Sequence, residues 1–401
     1  MIGISLMENS VMEYGWGSQR EIQEFLGMPD EVGRSMAELW MGAHPKAPSK
    51  VMVNGKWRSL ERVISEDPET VLGSAVSEGF GAALPFLFKL LAIESPLSIQ
   101  VHPEMGRAEL GYMRENRTGI PLGAPERNYR DKNHKHEIIC ALTDFCGLIG
   151  FREIKEIIEL FEEAFASVLD AELAMLRDLK EPKGLEKFFT SLIKMKGKSK
   201  AGILGMAGEI SAKRGGTDPA FFWVRQLCEK FPGDTAALFP LMLNVVELKP
   251  GEAVYIAPGE LHAYLNGMGI ELMSNSDNVL RGGLTNKHVD VEELLKIVDF
   301  RERPVDRIVP SVLGKGEIRY STPAKEFLLS ILTIKEKGIF RSRPNQGPEI
   351  LLCTGGSADI RDSKNGECLS LKKGQAAFVP ASVSQYEVGG ATILFRASVP
   401  I

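Results

Sequence analysis

The chain has six histidines, His44, His102, His134, His136, His262 and His288, so any imidazole chemistry must draw on a short list. In Ser98-Ile99-Gln100-Val101-His102, a strand would put residues 98, 100 and 102 on one face. The Gln100 carbonyl oxygen and the His102 imidazole could then meet one ion, with Ser98 on the same wall. A second segment, His134-Lys135-His136-Glu137, offers a carboxylate, and the turn Pro258-Gly259-Glu260-Leu261-His262 offers an imidazole from a third. Gln100, His102, Glu137 and His262 form a mixed nitrogen and oxygen set that suits zinc, and manganese, cobalt or ferrous iron fit the same donors. Each member alone is weak, because a histidine near a strand end is more often a hydrogen-bonded structural residue and glutamine rarely binds metal. Their joint occurrence carries the reading. His136 competes with Glu137, but strand alternation points adjacent side chains to opposite faces, so a structural histidine is expected there.

The elements that must position these residues are mainly β. Residues 85–101 read as two strands and a turn, and residues 138–150 as a buried strand turning at Thr143 and Asp144. After Phe151 the pattern changes: Ile154, Ile157, Ile158, Phe161 and Phe165 recur at three-and-four spacing, as do Leu185, Phe188, Phe189 and Leu192. This predicts a helical module up to about Phe231, inserted into the β framework. The β pattern returns around Pro250-Gly251 and Pro258-Gly259, both tight turns. The run Leu248-Lys249-Pro250-Gly251-Glu252-Ala253-Val254-Tyr255-Ile256 is echoed by Leu371-Lys372-Lys373-Gly374-Gln375-Ala376-Ala377-Phe378-Val379, which suggests two copies of one β unit. Such a unit resembles the second half of a cupin, a double-stranded β-helix or jelly roll whose mouth often carries a metal. Counting from the shared glycine, Gln385 takes the place of His262, so only the earlier copy can be a histidine site. The expected division is a metal-bearing catalytic cupin domain over 1–150 and 240–300, a helical insertion over 151–239, and a C-terminal cupin-like domain over 301–401.

The 401 residues are 44% hydrophobic and 25% charged, as in ordinary globular proteins. A net charge of -5 argues against a general nucleic-acid binder, while leaving room for a local basic pocket. Five cysteines without CxxC spacing suggest neither a disulfide framework nor a thiolate zinc site, and a reducing cytoplasm is the expected location. Neither a leader nor a run of the roughly 20 apolar residues needed for a membrane span is evident. The helical module shows no clear dimer stripe, which fits a monomer.

SIQVHPE, HKHE, PGELHAYLNG and SDNVLRGGLTNK, together with Glu13-Tyr14-Gly15-Trp16-Gly17 and Glu38-Leu39-Trp40-Met41-Gly42-Ala43-His44-Pro45, resemble blocks of the type I mannose-6-phosphate isomerases. The similarity runs from near residue 10 to about residue 290. It implies a zinc-dependent aldose-ketose isomerase with one ion per chain on the same four ligands, acting on a small sugar phosphate. It also implies that Glu271, Asp277, Arg281 and Lys287 line the site, with Trp16, Lys89, Ser98, His134, Lys135 and Tyr264 as further pocket residues. Two departures stand out: His136 and Asn286 occupy positions where the family usually has proline. Interconverting mannose 6-phosphate and fructose 6-phosphate through an enediol needs a base, a positive group for the enediolate oxygens and a cationic phosphate pocket. Glu271 and Asp277, or Lys135 if burial lowers its pKa, are the base candidates. Arg281 could fork onto the phosphate or stabilise the enediolate, and Asp277 offers it a salt bridge. The rivals are a non-catalytic sugar-binding cupin and a cupin oxygenase, and the retained acidic and cationic groups argue against both.

Overall fold

The computed structural model describes residues 2–29, 33–179, 182–314 and 316–401. Its strands form two antiparallel sheet systems, of ten and twelve strands, each built around one long bent strand. In the first, His262–Ser274 pairs along its second half with Phe86–Ile93 and Glu137–Ala141, and along its first half with Phe145–Phe151. His262 itself sits opposite Gln100 of the short strand Ile99–Val101. The bend falls at Gly267, whose φ is +109° and where a Cβ would stand 2.4 Å from the Asp144 carbonyl oxygen. Only glycine meets both demands. The second system repeats the device: Glu349–Asp362 pairs with Ala376–Val379 and Thr392–Ser398 before its bend, and with Cys368–Lys372 and Tyr386–Gly389 after it. Each long strand thus joins two sheets of a roll, in keeping with the expected double-sheet jelly roll. The echo in the sequence has a matching structural form, because Gly251 (φ +86°) and Gly374 (φ +87°) turn into the equivalent strands Ala253–Ile256 and Ala376–Val379.

Strands Phe86–Ile93, Ile99–Val101, Glu137–Ala141 and Phe145–Phe151 fall where the apolar runs predict them. The helical module comprises Ile154–Phe165, Asp170–Leu179, Pro182–Ile193, Gly197–Arg214 and Pro219–Lys230. Its buried phenylalanines form one core with Ile99, Val101, Leu148 and Leu261. The helices therefore buttress the outer face of the strands whose alternate residues, Gln100 among them, face the other way.

Two features depart from the expectation. Helices Leu60–Glu66, Pro68–Leu72, Ser74–Phe80 and Met105–Arg117 interrupt the mainly β first third. The last of these leaves Leu110 and Met113 exposed and lacks a clean apolar stripe, so periodicity does not reveal it. In addition, Ser5–Glu8 pairs with Ala376–Val379 on one side and with Lys50–Val53 on the other. The first strand of the chain thus lies in the sheet system of the last hundred residues.

Candidate metal centre and substrate pocket

His102, Glu137 and His262 are fully buried, and their donor atoms lie within 4.8 Å of one another. His102 Nδ1 is 2.7 Å from the Asn278 carbonyl oxygen, and His262 Nδ1 is 2.9 Å from the Glu260 carbonyl oxygen. A carbonyl can only accept, so each Nδ1 carries the proton and each Nε2 presents a lone pair. Those lone pairs face the same carboxylate, with His102 Nε2 3.3 Å from Glu137 Oε1 and His262 Nε2 3.2 Å from Oε2. Neither carboxylate oxygen has a hydrogen bond of acceptable geometry, although the Lys135 ammonium lies 2.6 Å from Oε1. Two imidazole lone pairs converge on a buried carboxylate with the Lys135 ammonium at one edge, and a donor set of two neutral nitrogens and a carboxylate fits a divalent ion. The Gln100 amide joins it, with Nε2 3.4 Å from His262 Nε2, and a half-turn of the amide would bring its oxygen to the same place. Burial and the neighbouring Lys135 lower His102 to about 4, which keeps the imidazole neutral and able to ligate. Burial pushes the Glu137 carboxyl up, but the Lys135 ammonium outweighs it and holds the group well below the usual range.

Beside this centre, Lys89 donates to Glu271 Oε2 at 2.9 Å, with Glu38 at 3.9 Å and the Trp40 ring centroid 5.2 Å away. The Lys89 and Glu271 residues are register partners across two strands. Burial raises the Glu271 carboxyl, Lys89 opposes the shift, and nearby Glu137 adds to it. The buried Tyr264 hydroxyl is raised by burial and by Glu271, and its ring lies 6.0 Å from that of His262. Trp16 stacks on Tyr14 at 5.6 Å. Arg281 is the register partner of Gln100, which puts its side chain on the same face of the sheet. Among the described residues Arg281 has no carboxylate partner, and burial and Arg130 lower its pKa. Burial and the charges of Arg281, Arg130 and Lys46 lower Lys287 as well. Arg281, Arg130 and Lys287, close together and without a carboxylate partner among the described residues, make a place for an anion.

A family description, the phosphomannose isomerase type I catalytic domain, matches residues 4–154. Mannose-6-phosphate isomerase of Escherichia coli (strain K12) is 40% identical over 389 residues, covering 95% of this chain and 96% of that one. The chain belongs to the type I phosphomannose isomerases. The Rattus norvegicus mannose-6-phosphate isomerase is 32% identical, over 97% of this chain and 94% of its own. A crystal structure of a zinc-bound mannose 6-phosphate isomerase superposes with a TM-score of 0.92 at 36% identity, covering both chains completely. A variant of the Salmonella typhimurium enzyme gives 0.93 with the same identity and coverage.

Within this phosphomannose isomerase fold, the residues singled out in the sequence separate into groups. Gln100, His102, Lys135, Glu137 and His262 converge, and Lys89, Glu271 and Tyr264 adjoin them. Ser98 is partly buried just ahead of the strand Ile99–Val101. Asp277 is not the salt-bridge partner of Arg281. Its carboxylate goes to Lys46 at 2.8 Å and lies 3.6 Å from His44, and although burial pushes it up, the Lys46 hydrogen bond holds it below the usual range. His134, ahead of the strand Glu137–Ala141, is not brought to the cluster either, because its Nε2 turns to Glu326 at 2.5 Å. His136 also faces away, hydrogen-bonding the Tyr255 hydroxyl, and burial lowers it to about 4. Sequence reasoning missed Asn278, whose side chain is gripped by Arg130 N, Asp131 N and the Asn133 carbonyl while its own carbonyl sets the His102 tautomer. It also missed Glu38, Lys46 and Arg130. The first lay inside a recognised block, and no local signal marks the other two.

Proposed function

We propose that this chain interconverts mannose 6-phosphate and fructose 6-phosphate with one zinc ion per chain, held by His102, Glu137, His262 and Gln100. The carrying observation is the buried Glu137 carboxylate, without a hydrogen bond, facing two imidazole lone pairs. A bound zinc ion would supply Lewis-acid charge for sugar oxygens. Lys135, beside Glu137, keeps that carboxylate ionised. Arg281 and Lys287 draw in the anionic end of the substrate, Arg281 by forked hydrogen bonds and Lys287 as a point charge. Glu271 is the best-placed base: it is buried, its carboxyl is raised, and Lys89 hydrogen-bonds it. In the proposed reaction it takes the proton from C2 of the open-chain aldose and returns it to C1, while the O2 hydroxyl proton passes to O1, so the enediol closes to the ketose with all protons accounted for. Asp277, tied to Lys46 and held low, is the weaker base and instead orients the cations around it. Trp16, Tyr264 and Ser98 wall the pocket.

We keep the division into a catalytic unit (1–150 and 240–300), a helical insertion (151–239) and a C-terminal unit (301–401), with the first strand lent to the last unit. The reading further includes a monomer working in a reducing cytoplasm. Among the described residues no helix is long and apolar enough to cross a membrane. The test is fructose 6-phosphate formation from mannose 6-phosphate by the purified chain before chelation, after it, and after zinc is restored. Loss on chelation with recovery on zinc is expected. No turnover by the folded, zinc-loaded chain would overturn the reading.

A further inference from the structure

A second donor cluster lies across the strand from Glu137. His134, His136 and Glu326 each bring a ligand-capable atom within 4.8 Å of the others. His134 Nε2 is 2.5 Å from Glu326 Oε1, the two imidazole rings meet edge to face with centroids 4.3 Å apart, and His136 Nδ1 is hydrogen-bonded to the Tyr255 hydroxyl. Just ahead of the strand Glu137–Ala141, Lys135 turns to Glu137 and the first centre, while His134 and His136 turn to Glu326 and Tyr255. Glu326 is buried, and its second oxygen accepts the Lys325 backbone N–H. Three distant parts of the chain meet here, namely the approach to Glu137–Ala141, the strand Ala253–Ile256, and the segment ahead of Leu328–Ile334.

We infer that His134, His136 and Glu326 form a second binding site for a divalent transition-metal ion of the zinc class, joining the C-terminal unit to the strand that bears Glu137. Two imidazoles and a carboxylate are a sufficient three-ligand set, and the Tyr255 oxygen or a water can complete a tetrahedron. The hydrogen bonds His134 to Glu326 and His136 to Tyr255 must be exchanged for metal bonds. This site therefore binds more weakly than the first, where both imidazole lone pairs already face the carboxylate. The geometry stands independently of the isomerase reading, since none of its three ligands is used there.

The test is zinc titration of the full chain, stripped by chelator, with bound metal counted per chain after equilibrium dialysis, in wild type, His136→Ala and the near-isosteric Glu326→Gln. Two equivalents in wild type and one in each variant are expected, with isomerase turnover retained by both variants. One equivalent in wild type, or two persisting in either variant, overturns the inference. So does loss of turnover together with the second ion, because the missing ion would then be the catalytic one.

Discussion

At the scale of single residues, the site depends on which atom of each group carries a proton. The Asn278 and Glu260 carbonyls fix both imidazoles with Nδ1 protonated, and this leaves two lone pairs and one carboxylate for the ion. Glu137→Gln removes the charge and one donor oxygen. Zinc affinity, measured by competition with a chromogenic chelator, should fall by more than the ~10–100-fold that loss of an outer partner costs, and turnover should fall with it. Arg281 is a different case, since no carboxylate among the described residues holds it. Arg281→Lys keeps the charge and loses the fork, so kcat/KM should drop about 10- to 100-fold, the equivalent of ~1.5–3 kcal/mol of charged hydrogen bonding. Steady-state kinetics then divides the roles: a rise in KM alone assigns Arg281 to the phosphate, and a fall in kcat assigns it to the enediolate.

At the scale of elements, the helical module and one short helix hold the strands in register. Phe189 of the helix Pro182–Ile193 meets Phe151, Phe239 and Phe300 at ring-centroid distances of 6.0, 5.0 and 5.5 Å. It thereby ties the insertion to the strand Phe145–Phe151, which pairs with the His262 end of His262–Ser274. Phe189→Ala should cost about 3–5 kcal/mol of stability, read by denaturant unfolding, because the surrounding rings cannot all collapse into the cavity. The helix Val291–Ile297 is anchored by Glu293, which accepts from the Tyr129 hydroxyl (2.8 Å), Arg114 (2.8 Å) and Lys296 (2.9 Å). Burial pushes the Glu293 carboxyl up, but these partners outweigh it and hold it low. A depressed folded value stabilises the protein above the unfolded value of about 4.3, and that contribution is lost as pH falls through the folded value. Glu293→Gln should therefore be less stable than wild type at neutral pH by about 1–3 kcal/mol. The gap should narrow in thermal melts taken from about pH 5 down towards about pH 3.

At the scale of the whole molecule, the two rolls share strands and a core. Ser5–Glu8 lies between Ala376–Val379 and Lys50–Val53, and one apolar cluster contains Phe88, Ile138 and Ile270 of the first system with Leu329, Ile350 and Phe395 of the second. Truncation after Phe300 should thus expose a large apolar face and abolish cooperative melting in calorimetry, whereas the full chain should melt as a unit and sediment as a 44.1 kDa monomer. In the second roll Gln385, in the place of His262, lies just ahead of Tyr386–Gly389 and donates to the Ser342 carbonyl. Legible in the sequence were the donor types, the helical insertion, the repeated β unit and the face of the strand on which Gln100 sits; His136 does turn away from Glu137, held by the Tyr255 hydroxyl ahead of the strand. The legible features are carried by side-chain chemistry and by periods of 2 and 3.6 residues, which are local. Only the tertiary structure decided that Asp277 pairs with Lys46 rather than Arg281, that His134 joins Glu326 instead of the substrate pocket, that Asn278 sets the His102 tautomer, and that the first strand belongs with the last unit. Each of these choices joins residues far apart in the chain, where strand register and packing fix the partner and local pattern carries no record of it.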